Sequence, residues 1–318
     1  MLGNLPAGVL DIVLRQLGAR SLCRLACTSK GMGAAVAQAP LRVTLHPRQG
    51  AATRRWMLDP KVQCRVVVLT VRRGSLPHTF VYPRLSALRV LDMAFTYVPM
   101  RTVHAVAAVT SLRTLRLHRV SAWDTAVFGT SVFAPLVHLE ELAVTFRSES
   151  WTLVCVDALP ATLRELSIRH APAMLVCARL DVPKVRLEAG LSLEFLVPAG
   201  PGARDVSLAC EDEAIDLGKA FDAPGVRALS VACPGSVSLS SLAAIKPTLR
   251  TLAINTDMLF LVASELAELE DARFDVAVGL GIKESGPLPP SLTLRATLGD
   301  LKFDFRGAVE RRRHLAES

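Results

Sequence analysis

One short pattern returns along most of this 318-residue chain and constrains its fold more than any other feature. The unit is apolar-x-x-apolar-x-apolar, followed by a turn or loop. It stands at Val66-Leu69-Val71, Leu88-Leu91-Met93, Leu112-Leu115-Leu117, Leu139-Leu142-Val144 and Leu163-Leu166-Ile168. It continues at Val182-Val185-Leu187, Ala203-Val206-Leu208, Val226-Leu229-Val231 and Leu249-Leu252-Ile254. Two weaker copies are read at Asp271-Phe274-Val276 and Ser291-Leu294-Ala296. The last apolar positions run from 71 to 296 in ten intervals, a mean period of 22.5 residues. The final two apolar residues of each unit are two apart, so both point to one face of a short strand. One such strand cannot bury its own face, so neighbours must stack and share a core.

The expected fold is therefore a solenoid with a curved parallel sheet, one strand per unit, backed by irregular and partly helical segments. Met100 to Ser111 has helical spacing at Val103, Val106, Ala107 and Thr110, and Ser240 to Ile245 offers a further helical turn. Pro198-Ala199-Gly200-Pro201-Gly202 is too broken for a helix. Composition agrees: 51% of residues are hydrophobic but only 5% are aromatic, which suits a Leu- and Val-cored stack rather than an aromatic-lined cleft.

The first forty residues follow a different rule. Leu5-Pro6, Val9-Leu10, Val13-Leu14 and Leu17 make one wide apolar stripe on a helix, with Pro6 in the first turn, where its missing N–H costs nothing. Gly18 reads as the stop, Ser21 as the cap of a second short helix with Leu22, Leu25 and Ala26 on one face. Residues 31–40 read as a short Ala-rich helix ended by Pro40. Helices this short cannot cover that much apolar surface alone.

This stretch resembles an F-box. Leu5-Pro6, the pairs Val9-Leu10 and Val13-Leu14, then Leu17, Leu22, Leu25 and Ser29-Lys30 match the family's order and spacing over about residues 4–40. Gly8 departs from it, standing where an acidic residue is common. The later units are similar to leucine-rich repeats in their period and LxxLxL core. They differ three residues after the last apolar position, where that family often places Asn or Cys and this chain has Val120, Arg147, Ala171, Pro234 and Asp257. Together the two resemblances point to the F-box/leucine-rich-repeat proteins. They imply an α/β chain: F-box helices at 1–40, a connector at 41–62, a leucine-rich-repeat solenoid at 63–305 and a basic C-terminal tail at 306–318.

The function the resemblance implies is that of a substrate receptor in a cullin-type (SCF) ubiquitin ligase. Leu5, Pro6, Val9, Leu10, Val13, Leu14 and Leu25 would contact the Skp-family adaptor, and through it a cullin, while the repeats hold a target protein. A second reading is a leucine-rich-repeat protein-binding scaffold with no ligase link. On either reading the chain needs no catalysis, cofactor or metal of its own.

Alternation locates the target face. If Leu115 and Leu117 point inward, Arg116 and His118 point to the open side of the sheet. The same argument exposes Arg72, Asp92, Arg169 and Arg186, which complete the expected target-binding set. Its basic members, with a formal net charge of +8 for the chain, point to a target bearing acidic groups. Few aromatics interleave these arginines, which argues against nucleic-acid binding by base stacking.

Motifs of phosphate-binding loops, zinc proteases and serine hydrolases are absent from the sequence. Glu140 and Glu141 are adjacent on a strand and point to opposite faces, so they do not form an acid/base pair. The seven cysteines, Cys23, Cys27, Cys64, Cys155, Cys177, Cys210 and Cys233, match no CxxC pair and read as buried, reduced thiols. The N-terminus does not read as a signal peptide, and no uncharged apolar run approaches the ~18 residues a membrane helix requires. The expected location is the cytoplasm, the nucleus or both.

Overall fold

A computed structural model describes residues 13–14, 17, 19–26, 28, 35–36, 39–46, 59–72, 84–94, 98–121, 127–147, 153–171, 174–177, 180–190, 192–195, 202–210, 215–216, 225–239, 248–261, 269–282, 292–298 and 301–304. In chain order its helices are α1 (Ala19–Ala26), α2 (Pro60–Gln63) and α3 (Met100–Ala107). Its strands are β1 (Leu41–Leu45), β2 (Val66–Arg72), β3 (Val90–Ala94), β4 (Val98–Pro99), β5 (Thr114–Ser121), β6 (Val127–Gly129) and β7 (Glu141–Phe146). Then follow β8 (Leu153–Val156), β9 (Glu165–Ala171), β10 (Met174–Cys177), β11 (Lys184–Ala189), β12 (Ser192–Phe195) and β13 (Asp205–Cys210). The series ends with β14 (Ile215–Asp216), β15 (Ala228–Leu239), β16 (Thr251–Leu261), β17 (Asp271–Ile282), β18 (Leu292–Leu298) and β19 (Leu301–Asp304).

These elements form a parallel-sheet solenoid in which strands far outnumber helices. The described residues fall into two compact units. The first comprises those within Met1–Ser121, Val132–Val144 and Pro160–Leu163; the second those within Ala122–Ser131, Thr145–Leu159 and Arg164–Ser318.

In the first unit β1, β2, β3 and β5 are parallel neighbours in chain order. Leu69, Leu91 and Leu115 share one register row, Val71, Met93 and Leu117 the next, and all six are buried. The Arg113 carbonyl then accepts the N–H groups of Glu140 and Glu141, which leads into β7. Helix α3 buries Val103, Val106 and Ala107, three of the four residues its spacing singled out, while Thr110 lies beyond it and is exposed.

The segment read as a connector, 41–62, is a correction. Its first five residues, Leu-Arg-Val-Thr-Leu, alternate strictly and form β1 on β2. Asp59 then caps α2 by accepting the Lys61 N–H at 2.9 Å, with Pro60 in the first turn. The Trp56-Met57-Leu58 cluster lies outside the described residues.

In the second unit β9, β11, β13, β15, β16, β17 and β18 are parallel in that order, and β19 closes the sheet antiparallel to β18. The register corrects the last two repeats. Ala272 and Phe274 stand opposite Leu252 and Ile254, and Leu292 and Leu294 continue those rows. The units are thus read two residues too late in the sequence pattern. The physical reason is that Asp271 would have occupied a core position, whereas Leu269, which is buried, fills it at no electrostatic cost.

The backing segments of this unit also differ from expectation. Strands β6, β8, β10 and β12 form a second parallel sheet where irregular or helical turns were anticipated. Val and Leu at Val154, Val156, Leu175 and Val176 are buried there, and β-branched residues favour that pleated packing. The proposed turn at Ser240–Ile245 lies outside the described residues.

Without an Asn or Cys ladder, the turns use hydroxyls. Ser111 donates to the Leu88 carbonyl at 2.8 Å, Thr162 to the Leu139 carbonyl at 2.9 Å, and Thr256 to the Gly235 carbonyl at 3.0 Å. Each reaches the preceding coil. Val120 and Ala171, two of the positions that break the Asn/Cys pattern, are fully buried instead. At Gly202 the backbone N–H donates to the Asp181 carboxylate, also one coil back, and a Cβ there would lie 2.2 Å from that oxygen.

Near the N-terminus the structure describes α1 and parts of its surroundings. Ser21 lies inside α1 rather than at its cap, because the helix begins two residues earlier. Leu22 and Leu14 are buried. Leu5, Pro6, Val9 and Leu10 lie outside the described residues, as does the tail at 306–318.

Candidate target-binding face

Of the expected target-binding residues Arg72, Arg116, Arg169 and Arg186 are exposed and His118 is half-buried, whereas Asp92 is largely covered with its Oδ1 buried; the six fall into two groups, one in each unit. Arg72, Asp92, Arg116 and His118 belong to the first unit, on β2, β3 and β5. Arg169 and Arg186 belong to the second, on β9 and β11.

Most of the first group is engaged with neighbouring side chains. The Arg116 guanidinium holds the Glu141 carboxylate through two hydrogen bonds, Nε to Oε1 at 2.7 Å and Nη2 to Oε2 at 3.0 Å. Arg113 holds Glu140 at 3.1 Å. Glu140 and Glu141 therefore reach toward consecutive arginines of the preceding coil, rather than to opposite faces. Glu140 stands just before the strand, where alternation no longer governs it. Both arginines are about half exposed, so the pairs add at most ~1 kcal/mol to stability. Their consequence is for recognition: the Arg116 charge is already met. Asp92 lies 3.8 Å from the His118 imidazole.

The second group lines a cleft of about 310 Å³ on the open face of β9, β11, β13, β15 and β16. Register explains why it exists. Ser167, Arg186, Ser207, Ser230 and Ala253 stand in one row across the five strands. Beyond Arg186 the row thus continues with three short side chains. Glu165, Lys184 and Asp205 form the adjacent row.

A local irregularity aims Arg169. His170 adopts φ 51°, a left-handed conformation rare outside glycine. It interrupts the pairing of β9 with β11, so Arg169 and His170 are both exposed in succession before Ala171 returns to the core. Arg119, with φ 58°, does the same after His118. Simple alternation would bury His170. It pairs instead with Glu188 at 2.7 Å. His170, Glu165, Lys184 and Asp205 are thus face residues that the repeat pattern does not single out.

The charges in the cleft are unequally satisfied. Lys184 pairs with Glu165 at 3.0 Å. Among the described residues Arg169 and Arg186 have neither an ion pair nor a side-chain hydrogen bond. They are the open cations of this face.

Among the described residues no group of three or more His, Cys, Asp or Glu has metal-binding geometry. Cys177, Cys210 and Cys233 are buried, Cys155 is half-buried, and Cys64 is exposed, against the expectation of uniformly buried thiols. The side chains of Cys23 and Cys27 lie outside the described residues. Burial, and secondarily the Asp157 carboxylate, raises the Cys155 pKa; burial, and then Cys155, raises that of Cys177 far more. Both are therefore protonated thiols at neutral pH and poor nucleophiles.

This gives a pH prediction. The folded chain keeps the Cys177 proton at pH values where an unfolded thiol, with its ordinary value of 9.0, has lost it. The raised value leaves stability unaffected well below pH 9.0. Above it the unfolded state binds fewer protons, and stability falls by about 1.4 kcal/mol per pH unit. Urea titrations at increasing alkaline pH should show this slope in the wild type and a shallower one in Cys177→Ala. Equal slopes would mean that Cys177 is not sealed from solvent.

Comparison with protein-family models and with curated proteins finds no match to this chain. Among the described residues no helix is long and apolar enough to cross a membrane.

Proposed function

We propose that this chain is a non-catalytic receptor that holds a target protein on the open face of its repeat sheet and presents it to a ubiquitin ligase through its N-terminal residues. The observation that supports target capture is the solenoid itself. Successive parallel strands display in-register rows of side chains, and two of its arginines are uncommitted. Such a surface recognises by shape and charge. The ligase link rests on the F-box resemblance of residues 4–40, with a Skp-family adaptor as the partner and a cullin beyond it. Catalysis would then be by proximity, through the effective concentration of target lysines.

The structure guides the choice of test variant. Leu14 is only 4% exposed, so an Asp there would bury an unpaired charge and endanger the fold itself. Val13 and Leu25 are half-buried and keep surface for a partner. The test is co-purification of the full chain with a Skp-family adaptor, beside a Val13→Asp/Leu25→Asp variant whose folding is checked by circular dichroism. The expected result is capture by the wild type and a loss of at least about tenfold in the variant. A folded wild-type chain that captures no adaptor would leave a protein-binding scaffold without a ligase link.

A further inference from the structure

We propose that the cleft of the second unit docks an extended acidic peptide segment of the target, with its carboxylates over Arg169 and Arg186. The inference deepens the target-capture reading and rests on it.

Three observations converge. The first is room. Ser207, Ser230 and Ala253 follow Arg186 in one row, so the face drops to a floor of small side chains across β13, β15 and β16. With strands about 4.8 Å apart, that floor is roughly 10–15 Å wide, enough for one extended chain. The second is unmet charge. Arg169 and Arg186 are exposed and unpaired, whereas Lys184 beside them is bound to Glu165. A carboxylate brought to these guanidiniums displaces no internal partner.

The third is the order of charges along the strands. Glu165, Lys184 and Asp205 occupy the row before Arg186, with Lys184 and Glu165 paired to each other, and beyond Ser167 the bulge of β9 places Arg169 near Glu188, whose charge is met by His170. Rows are two residues, about 6.6 Å, apart, which is also the i to i+2 step of an extended ligand. A peptide with carboxylates at i and i+2, and a neutral or basic residue at the position facing Asp205, sets a carboxylate against each of the two arginines and none against Asp205. A nucleic-acid strand lying the same way would set a phosphate against Asp205. The pattern therefore favours a peptide, and one direction of it.

The test uses the full-length chain and fluorescence polarisation with a fluorescein-labelled peptide carrying Lys, Glu and Glu at alternate positions among alanines. Wild type should bind it, and a Gln-for-Glu peptide should bind at least about tenfold more weakly. Arg169→Glu/Arg186→Glu should also lose at least about tenfold. Arg204→Glu/Arg227→Glu, the same change of charge at exposed positions outside the cleft, should stay within about twofold at physiological salt. Ser230→Trp, which fills the floor without altering charge, should abolish binding while its circular dichroism matches wild type. Equal losses in both double variants, retained binding by Ser230→Trp, or no binding by folded wild type would overturn the proposal. So would tighter binding of a phosphoserine peptide or a single-stranded oligonucleotide.

Adaptor capture by the same preparations separates the two ideas. Adaptor captured with no peptide bound sinks the cleft assignment alone. Peptide bound with no adaptor captured sinks the ligase link alone.

Discussion

Truncating Phe128 to alanine is expected to lower stability by about 3–5 kcal/mol, the range for removing a buried aromatic ring. Phe128 is completely buried, and its ring meets that of Phe146 edge-on, with centroids 5.0 Å apart and planes at 84°. That geometry aligns the positive edge of one ring with the negative face of the other, and adds about 0.5–1.5 kcal/mol to simple burial. The effect should be large because Phe128 is the buried residue of a short strand, β6. It is three residues long and pairs with β8 only through Val127, Phe128 and Gly129. Beyond it, Thr130 donates to the Asp157 carboxylate at 3.0 Å and accepts the Asp157 N–H at 3.0 Å. Urea denaturation measures the loss, and hydrogen exchange should show early exposure of β6 and β8 amides. A Phe146→Leu cycle isolates the ring contact. A loss below about 1 kcal/mol would mean that the second sheet closes over the gap and does not depend on this anchor.

Arg65→Ala is expected to cost about 2–3 kcal/mol and to loosen the segment before β1. The Arg65 guanidinium donates to the Ala39 carbonyl from Nε at 3.1 Å and from Nη2 at 2.7 Å, and Nη2 also donates to the Val36 carbonyl. Its own backbone carbonyl accepts the Leu41 N–H at 2.8 Å. One residue thus joins Val36 and Ala39 to the start of the sheet. The bonds are charge-assisted and partly buried, which places each above an ordinary neutral bond. Removing the fork leaves the Ala39 carbonyl short of a donor and the Val36 carbonyl with the Ala39 N–H alone. Arg65→Lys should recover less than half of the loss, since an ammonium cannot reproduce the planar fork. Urea titration gives the energy. Limited trypsin digestion at the exposed Arg24 gives the local effect, and an unchanged cleavage rate in Arg65→Ala would refute this role.

Much of this architecture is legible in the sequence because burial in a stacked strand has a period of two and the stack has a period near 22 residues. Leu69, Leu91, Leu115, Leu142, Leu166, Val185, Val206, Leu229 and Leu252 are all buried as that pattern requires. The pattern weakens where apolar identity is shared by several neighbours. In Leu269-Ala272-Phe274 a small Ala occupies the middle position, and the eye is drawn to Phe274 and Val276 instead. The backing sheet was not legible, since four-residue runs such as Leu153–Val156 read equally as strand or buried turn. The face was legible as a set of accessible residues but not in its energetics. Arg116 and Arg186 look alike in sequence. Glu141 satisfies the first and nothing satisfies the second, a distinction set by register between coils. The bulge that exposes both Arg169 and His170 depends on a backbone angle that no residue type there announces.

The way the sheet ends has a consequence for self-assembly. Each parallel coil is a template for the next, so a row of near-equivalent strands with an open last edge could accept a copy of itself and grow without limit. Here the last described parallel strand, β18, is followed by a tight hairpin that lays β19 against it in reverse, over Arg295↔Asp304 to Leu298↔Leu301. An incoming coil would find a partner of the wrong polarity and only four residues long. The hairpin thus acts as a terminator, and a chain shortened before Leu301 should be more prone to form fibres than the whole one.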